Sequence, residues 1–223
     1  MHQRKSKVVL FYFLLLLIVT SINNINFSKI KLNKVQNINI SGLNYFENEK
    51  ILKDIKNSNL ENIFFLNSRK INNIINSNSL VEEFKVFKKY PSTINIDIEK
   101  TTFLAKINHN EKIFILGSNG KFLKNDFSIK ELPYIFGNPE PSDFLNFKKI
   151  VENSKISYEA IKNIYFFKSN RWDLELKNNI IIKLPKNNLK ETLDNVSEFM
   201  KNISIDGILI IDARIKNQII LNG

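Results

Sequence analysis

The segment VEEFKVFKKYPSTINIDIEK, residues Val81–Lys100, carries the clearest structural pattern in this sequence. Apolar and polar residues alternate on both sides of a Pro91-Ser92 break. The alternating apolar positions are Phe84, Val86, Ile94, Ile96 and Ile98. Because successive side chains of a strand point to opposite faces, this alternation predicts two half-buried strands. The Pro-Ser break between them is typical of a turn, so the segment predicts a β-hairpin.

The residues upstream of this hairpin predict one strand and two helices. Val35–Ile40 alternates like a strand and is followed by Gly42, a common turn residue. A first helix is predicted near Glu47–Asn57, and a second begins after a cap at Asn67 or Ser68. The apolar positions at helical spacing are Ile51, Leu52, Ile55, Ile71, Ile74 and Ile75. The order strand, helix, helix, strand, strand predicts a three-stranded sheet with both helices on one face.

The residues downstream predict more strands and two further helices. Ile113–Phe122 predicts two strands joined by a Gly-Ser-Asn-Gly turn, and Trp172–Leu184 predicts a hairpin around Asn178-Asn179. One helix is predicted by Phe144, Leu145, Ile150 and Val151, and another by Leu189, Leu193, Val196, Met200 and Ile203. Ile208–Ala213 predicts a strand, Lys216-Asn217 a turn, and Gln218–Leu221 a last short strand.

Seven short motifs, each with its own internal spacing, lie along the chain. They are Val35-x-x-Ile38-x-Ile40-x-Gly42, Asn62-Ile63-Phe64, Val81-x-x-Phe84-x-Val86, Tyr90-Pro91-x-Thr93-Ile94-x-Ile96-x-Ile98-Glu99-Lys100, Leu132-Pro133-Tyr134-Ile135-Phe136-Gly137, Arg171-Trp172-Asp173-Leu174-x-Leu176 and Ile180-x-Ile182-x-Leu184-Pro185. As a set, they resemble the bacterial division family FtsQ, called DivIB in some lineages, whose first folded domain is a POTRA domain.

Several positions depart from the pattern that this resemblance predicts. Lys100 stands where the family has arginine, and Thr101 stands where a proline commonly follows. Gly117 occupies a position that is usually acidic. Near the end, Asp212-Ala213-Arg214-Ile215 departs mildly from the expected Asp-Leu-Arg followed by an aromatic or apolar residue.

Together, the patterns and the resemblance imply an α+β protein in five parts. The predicted parts are a cytoplasmic leader at 1–7, a single transmembrane helix at 8–27, a linker at 28–34, a POTRA-like domain of order β-α-α-β-β at 35–100, and a C-terminal mixed β domain, with an antiparallel sheet and helices, at 101–223.

The predicted transmembrane segment rests on the uncharged run VVLFYFLLLLIVTSI, residues Val8–Ile22. A membrane-spanning helix needs about 20 apolar residues, so the span is expected to extend to Phe27. Arg4, Lys5 and Lys7 precede the run, and the positive-inside rule keeps that side in the cytoplasm. A cleavable signal peptide with a small residue at Ser21 is the alternative interpretation. In both interpretations the remaining chain is exported. The resemblance favours a membrane anchor over a signal peptide.

Composition argues against several other functions. The net charge is +11, but the lysines are scattered, so nucleic-acid binding is not expected and a mild attraction to anionic lipid is favoured. The absence of cysteine excludes disulfides and thiolate chemistry. No phosphate-binding loop or nucleophile elbow occurs, and His109 is interpreted as a solvated turn residue. The sequence therefore predicts no catalytic residue, no cofactor, no metal and no small-molecule substrate.

Paired carboxylates could indicate acid–base catalysis and a tryptophan could indicate ligand stacking, but the strand pattern disfavours both functions. The carboxylate pairs are Glu82 with Glu83, Asp97 with Glu99, and Asp173 with Glu175. The latter two pairs fall on outward faces, where exposed carboxylates titrate normally. Trp172 falls on the apolar face, which predicts core packing, and Arg171 is expected to face solvent.

The resemblance implies a membrane-anchored division protein that works through its surfaces. An edge strand has unpaired backbone groups that can accept a strand of another chain. The residues predicted to form this partner edge are Arg214, Ile215, Gln218, Ile219, Ile220 and Leu221. The implied partners are FtsB-like and FtsL-like proteins of the inner membrane at the septum. A different POTRA-bearing envelope component and a cleaved, secreted binding protein are the alternatives.

Overall fold

The computed structural model describes residues 3–22, 34–58, 60, 63–64, 66–109, 111–124, 131–202, 207–216 and 218–222. Within these residues the chain forms an N-terminal helix, a small domain of helices and strands, and a larger domain built on one sheet. The α+β class expected from the sequence is confirmed.

Helix α1 (Gln3–Ile22) holds the uncharged run of the sequence. Its large apolar side chains from Val8 to Val19 are each 44–67% exposed. By length and hydropathy together, no helix in the described part of the chain qualifies as a membrane span. Residues 23–27 of the predicted span lie outside the described residues, and the transmembrane helix stays a prediction.

The small domain has the predicted β-α-α-β-β order. Its elements are β1 (Asn37–Ser41), α2 (Tyr45–Asn57), α3 (Ser68–Ser77), β2 (Val81–Lys89) and β3 (Thr93–Lys100). Strand β3 lies in the centre of the sheet, parallel to β1 and antiparallel to β2. Both helices cover one face. The buried isoleucines of this core are Ile51, Ile55, Ile63, Ile71, Ile75, Ile94, Ile96 and Ile98.

Asparagine side chains fix where both of these helices begin. Asn44 accepts a hydrogen bond from the backbone N–H of Glu47 at 2.9 Å. Asn67 accepts from two backbone N–H groups in the first turn of α3. These N–H groups have no partner within the helix, so a side-chain acceptor stabilises the helix start. Of the two caps predicted for α3, Asn67 is the one observed, because Ser68 is already helical.

Gly42 allows the chain to leave β1 directly against β3. Its φ is +109°, a conformation that other L-residues rarely adopt. A Cβ atom at this position would lie 1.7 Å from the carbonyl oxygen of Ile98. Both the backbone conformation and the lack of space therefore require glycine in the Ile40-x-Gly42 motif.

The large domain places nine described strands in one sheet. The strands are β4 (Phe103–His109), β5 (Lys112–Gly117), β6 (Phe122–Lys124), β7 (Tyr134–Phe136), β8 (Ile161–Phe167), β9 (Arg171–Leu176), β10 (Ile181–Lys183), β11 (Ile210–Asp212) and β12 (Ile220–Asn222). The helices are α4 (Pro141–Glu152), a 3-10 turn (Tyr158–Ala160) and α5 (Leu189–Asn202). The spatial order is β12-β11-β10-β9-β8-β7-β4-β5-β6.

The sheet is mixed, and the expectation of an antiparallel sheet is only partly correct. Strands β4 and β7, β7 and β8, and β10 and β11 pair in parallel. Helix α4 joins β7 to β8, and α5 joins β10 to β11. Parallel neighbours need a long crossover connection, which is usually a helix. The two crossover helices contact each other and pack on the same core.

His109 differs from its sequence interpretation. It lies at the end of β4 and is half-buried, whereas a solvated turn was expected. Its ring stacks on Phe122 with the centroids 4.8 Å apart and meets Phe114 edge-on at 6.3 Å. The β4–β5–β6 pairing brings these rings together; the sequence predicts the β5–β6 hairpin but not the pairing of β4 with β5.

The turn between β5 and β6 connects the large domain to the small one. The Asn119 side-chain amide donates to the carbonyl oxygens of Ser79 and Val81 at 2.9 and 2.8 Å. Lys121 Nζ donates to the carbonyl oxygen of Asn76 at 2.7 Å, near the end of α3. A cation is favourable there because the C-terminal end of a helix carries a partial negative charge.

Two of the departures from the pattern that the resemblance predicts, Thr101 and Gly117, lie in this junction. The N–H of Thr101 donates at 2.9 Å to the carbonyl just before β2, a bond that a proline could not make. The hydroxyl of Ser118 donates to Glu82 at 2.6 Å. A Cβ atom on Gly117 would lie 2.7 Å from Thr101 Oγ1 and 2.8 Å from Asn119 Oδ1. A side chain at position 117 would therefore collide with Thr101 and Asn119, which explains why glycine fits beside Thr101 here.

We predict that Asn119→Asp weakens the junction. The aspartate keeps the oxygen that accepts from the Lys121 N–H inside the turn but loses both donations to the small domain. Urea denaturation should show a free energy of unfolding lower by about 1–3 kcal/mol. Asn178→Asp is the matched control, because Asn178 accepts from a backbone N–H in the β9–β10 turn, away from the junction. Equal losses in the two variants would contradict the junction role.

Candidate functional site

The C-terminal strand β12 forms one edge of the large sheet. It pairs antiparallel with β11, with Ile220 opposite Asp212 and Leu221 opposite Ile211. On its outer side it has no neighbour among the described strands. An edge strand presents backbone N–H and C=O groups that can pair with another chain. We call residues Ile220–Asn222 the free edge.

A row of apolar side chains crosses the sheet and ends at the free edge. In register, its members are Ile107, Ile135, Ile164, Leu174, Ile182, Ile211 and Leu221. All members up to Ile211 are 0% exposed, whereas Leu221 is 42% exposed. Leu221 has a strand neighbour on one side only. The free edge therefore places apolar surface beside unpaired backbone.

A charged pair lies on the opposite face, next to the free edge. Arg214 Nε and Nη2 donate to the carboxylate of Asp212 at 2.8 and 2.5 Å. This hydrogen bonding lowers the pKa of Asp212 and raises the pKa of Arg214. Ile220 lies on the same face as Asp212 and is 45% exposed. The free edge thus has one exposed apolar side chain on each face.

A cleft of about 450 Å³ adjoins the free edge. One wall comes from the start of α5 and includes Glu191. The other wall holds four of the predicted partner-binding residues, Arg214, Ile215, Gln218 and Ile219. The cleft and the edge therefore form one continuous region.

The six predicted partner-binding residues lie together but not in one strand. Ile220 and Leu221 belong to β12, whereas Gln218 and Ile219 precede it. The strand was predicted at Gln218–Leu221 and is observed at Ile220–Asn222, so the predicted boundary is wrong. Gln218 N–H donates to the carbonyl of Ile215 at 3.2 Å, which closes a turn. Ile219 packs against the core, and strand pairing begins only after this contact.

Sequence reasoning missed Asn222 and the cleft wall formed by α5. The Leu184-Pro185 motif marks the end of β10 but does not show what α5 will face. That proximity follows from the parallel pairing of β10 with β11, which places the start of α5 beside residues 213–216, 218 and 219.

The carboxylates of β9 are not the exposed, normally titrating groups that the strand pattern predicted. Asp173 is 4% exposed, and burial raises its pKa. Glu175 accepts hydrogen bonds from Asn163 and Tyr165 at 2.8 and 2.7 Å and pairs with Lys162 at 2.8 Å. These contacts lower the pKa of Glu175 to about 2. Strands β8 and β10 flank β9, and their side chains cover this face.

Two neighbouring residues of β9 also have defined surroundings. Trp172 is 5% exposed and stacks on Phe147 with the ring centroids 4.5 Å apart, so the prediction of core packing is confirmed. Arg171 was expected to face solvent, but its guanidinium lies 4.3 Å from the ring centroid of Phe167 and its Nε lies 3.4 Å from Asp173.

The region is therefore suited to recognition of another polypeptide. Its features are unpaired strand backbone, two exposed apolar side chains and an adjacent cleft. Among the described residues, no group of three or more histidine, aspartate or glutamate side chains is arranged to hold a metal ion.

Comparison with known families matches both domains. The family described as "POTRA domain, FtsQ-type" matches residues 33–100, and the family described as "Cell division protein FtsQ/DivIB, C-terminal" matches residues 105–214. The second match ends at Arg214, so Ile215 and the free edge lie beyond it.

Similar individual proteins have division functions in their names. The cell division protein FtsQ of Rickettsia bellii is 30% identical over 173 residues, which are 75% of this chain and 63% of that protein. The cell division protein DivIB of Clostridium tetani is 26% identical over 161 residues, covering 70% of this chain and 57% of that protein. The chain therefore spans less than two thirds of these relatives. The solved extracytoplasmic domain of Geobacillus stearothermophilus DivIB aligns with 48% of this chain and 99% of its own, at 11% identity and a TM-score of 0.33.

We predict that Glu175 makes the folded protein sensitive to acid. Its pKa lies at about 2 in the folded chain, below the ordinary 4.5. A lowered folded-state pKa contributes stability that is present above the ordinary value and is lost as the pH falls through the folded value. Denaturation at stepped pH from about 5 to about 2 should therefore show a steeper loss in the wild type than in Glu175→Gln.

Glu49→Gln, at an exposed position on α2, is the control for this measurement. It should follow the wild-type pH dependence. Identical pH dependence in the wild type and in Glu175→Gln would show that the hydrogen bonds to Glu175 do not favour its charged form.

Proposed function

Because the chain belongs to the FtsQ/DivIB family of cell division proteins, we propose that it is a scaffold of the bacterial division machinery. One N-terminal helix holds it in the inner membrane, and both domains lie in the periplasm. At the septum it binds FtsB-like and FtsL-like partners through the free edge and helps couple them to septal wall synthesis. It carries out no reaction of its own.

The observation that carries this proposal is the outer side of β12, which has no neighbour among the described strands. A partner strand added there would continue the backbone ladder of the sheet. The same strand would cover the exposed parts of Leu221 and Ile220, a burial that contributes about 1–2 kcal/mol for each side chain. Backbone pairing supplies affinity, and the apolar side chains on each face select partner strands with apolar residues at matching positions.

The proposed anchor has separate support in the sequence. The uncharged run of α1 follows Arg4, Lys5 and Lys7, the charge order that keeps an N-terminus in the cytoplasm. With that orientation, every residue after the helix is exported. The scaffold would then meet its partners on the periplasmic side, next to the membrane in which they also reside.

We predict that Leu221→Lys lowers binding of the FtsB-like partner at least tenfold, because a cation replaces the apolar contact of the incoming strand. Affinity capture of the full chain with the purified partner measures this loss. Leu221 is preferable to Ile219, which packs against the core. Ile113→Lys is the matched control, because Ile113 is 44% exposed in the same sheet but far from β12. Unchanged binding by Leu221→Lys would contradict the edge assignment.

We predict that Leu15→Arg releases the chain from the membrane, because arginine at the centre of a spanning helix costs about 2.5–3.5 kcal/mol. Alkaline extraction of membranes should leave the wild type in the pellet and move the variant to the supernatant. Measuring the mass of the wild-type chain shows whether its N-terminal segment is retained as a membrane anchor or has been removed as a signal peptide. A chain that lacks the first 20 or so residues would contradict the anchor.

A further inference from the structure

We propose that one end of the small domain docks on anionic lipid headgroups of the membrane that holds α1. This inference rests on the proposed anchor. The docking surface, which we call the basic-aromatic end, consists of exposed residues from five segments. They are Lys34, Lys56, Phe64, Arg69, Lys70, Phe87, Lys88, Lys89 and Tyr90.

Backbone pairing brings the start of the domain and the β2–β3 hairpin to the same end. The N–H of Gln36 donates to the carbonyl oxygen of Ser92 at 2.9 Å. Asn37 pairs with Thr93 at the start of the parallel β1–β3 ladder. The chain therefore enters the domain beside the tip of the hairpin, two residues after Lys34.

The loop between the two helices reaches the same end. The rings of Phe64 and Tyr90 lie 5.0 Å apart, which joins this loop to the hairpin tip. Helix α2 ends before Phe64 and α3 begins shortly after it. The last turn of α2, with Lys56, and the first turn of α3, with Arg69 and Lys70, therefore lie near the hairpin tip.

Most acidic side chains of the small domain lie away from the basic-aromatic end. The basic-aromatic end contains six exposed lysine and arginine side chains. Acidic residues occupy the opposite end, where α2 begins, β2 begins and β3 ends. They are Glu47, Glu49, Glu82, Glu83, Asp97 and Glu99. Of the other acidic residues of this domain, Asp54 lies on α2, and Glu61 lies outside the described residues. Lys50, Lys85 and Lys100 lie among these acidic residues, and Lys53 lies one helical turn before Lys56 on α2.

Aromatic side chains at this end match the interfacial region of a membrane. Phe64, Phe87 and Tyr90 are 55%, 50% and 58% exposed. Aromatic rings are favoured at the headgroup level, and basic side chains are attracted to anionic lipids. Each basic side chain near an anionic surface raises binding about fivefold. The combination distinguishes this end from a merely solvated basic surface.

The membrane is the partner that the chain itself places nearby. Lys34 follows Ile22, the last residue of α1, by twelve residues. Even a fully extended chain of that length reaches only about 40 Å. The basic-aromatic end begins at Lys34, so this end of the domain, and not the large sheet, is joined directly to the membrane segment.

The test uses the full chain in lipid nanodiscs with a fluorescent reporter. Because the chain has no cysteine, Ser68→Cys provides a single labelling site at the basic-aromatic end, and Glu49→Cys provides one at the acidic end. An environment-sensitive dye at Ser68→Cys should brighten in phosphatidylcholine discs that contain about 30% anionic phosphatidylglycerol, compared with phosphatidylcholine alone. The dye at Glu49→Cys should not, and the difference should shrink at high salt.

Charge reversal separates the docking surface from general electrostatics. Lys88→Glu with Lys89→Glu should lower the docking equilibrium constant by roughly thirtyfold or more. Lys50→Glu with Lys85→Glu changes the net charge equally at exposed sites away from this end and should change docking less than threefold. Phe87→Ser, which leaves the charge intact, should weaken docking in anionic discs as well.

Each outcome bears on one proposal. Failure of the wild type to remain in the discs would contradict the anchor and, with it, the proposed function. A chain that stays in the discs but gives the same Ser68→Cys signal with both lipids would overturn the docking surface alone. A signal that appears only on addition of polyglutamate or RNA would also overturn it, because the surface would then bind a soluble polyanion.

Discussion

The apolar row that crosses the large sheet is the interaction on which the rest of the molecule depends. Its members lie in register on successive strands from Ile107 to Ile211, and all are 0% exposed. A shift of one residue in any of these strands would turn its side chains to the other face, so burial of this row fixes the pairing registers of β4 and β7 to β11. The row also positions what lies on the opposite face, including buried Asp173 and the hydrogen-bonded Glu175. The row ends at β12, the outermost strand of the sheet, where the side chain of Leu221 remains partly exposed.

The junction between the domains depends on Thr101 and Gly117, two positions at which the sequence departs from the pattern that the resemblance predicts. Threonine at 101 provides the backbone N–H that a proline lacks, and its hydroxyl lies 3.0 Å from that of Ser118. Gly117 leaves the space that Thr101 and Asn119 occupy. The small domain is thereby joined to the β5–β6 side of the sheet, whereas the free edge is β12 on the other side. In the proposed scaffold, the partner-binding strand β12 and the strands that contact the small domain thus lie at opposite ends of the large sheet.

Local periodicity explains why several elements could be predicted without coordinates. The hairpin at Val81–Lys100, helices α2 and α3 and the stripe of α5 each repeat their pattern over several residues. Strand β7 has only three residues and carries no such repeat, and its family motif indicated no parallel partners. The predicted site had the same limits. Six neighbouring residues could be named, but the strand boundary depends on the core contact of Ile219, and the second wall of the cleft comes from α5.

The sequence by itself determined the class of fold, the order of elements in the small domain, the family and the chemical character of the C-terminal segment. It did so because the spacing of apolar residues and the positions of turn residues are local properties of a chain. Only the tertiary structure decided which strands are neighbours, which carboxylates are buried and which charges gather at one end of the small domain. Those features depend on segments far apart in the chain, and packing brings them together through contacts that no single segment encodes.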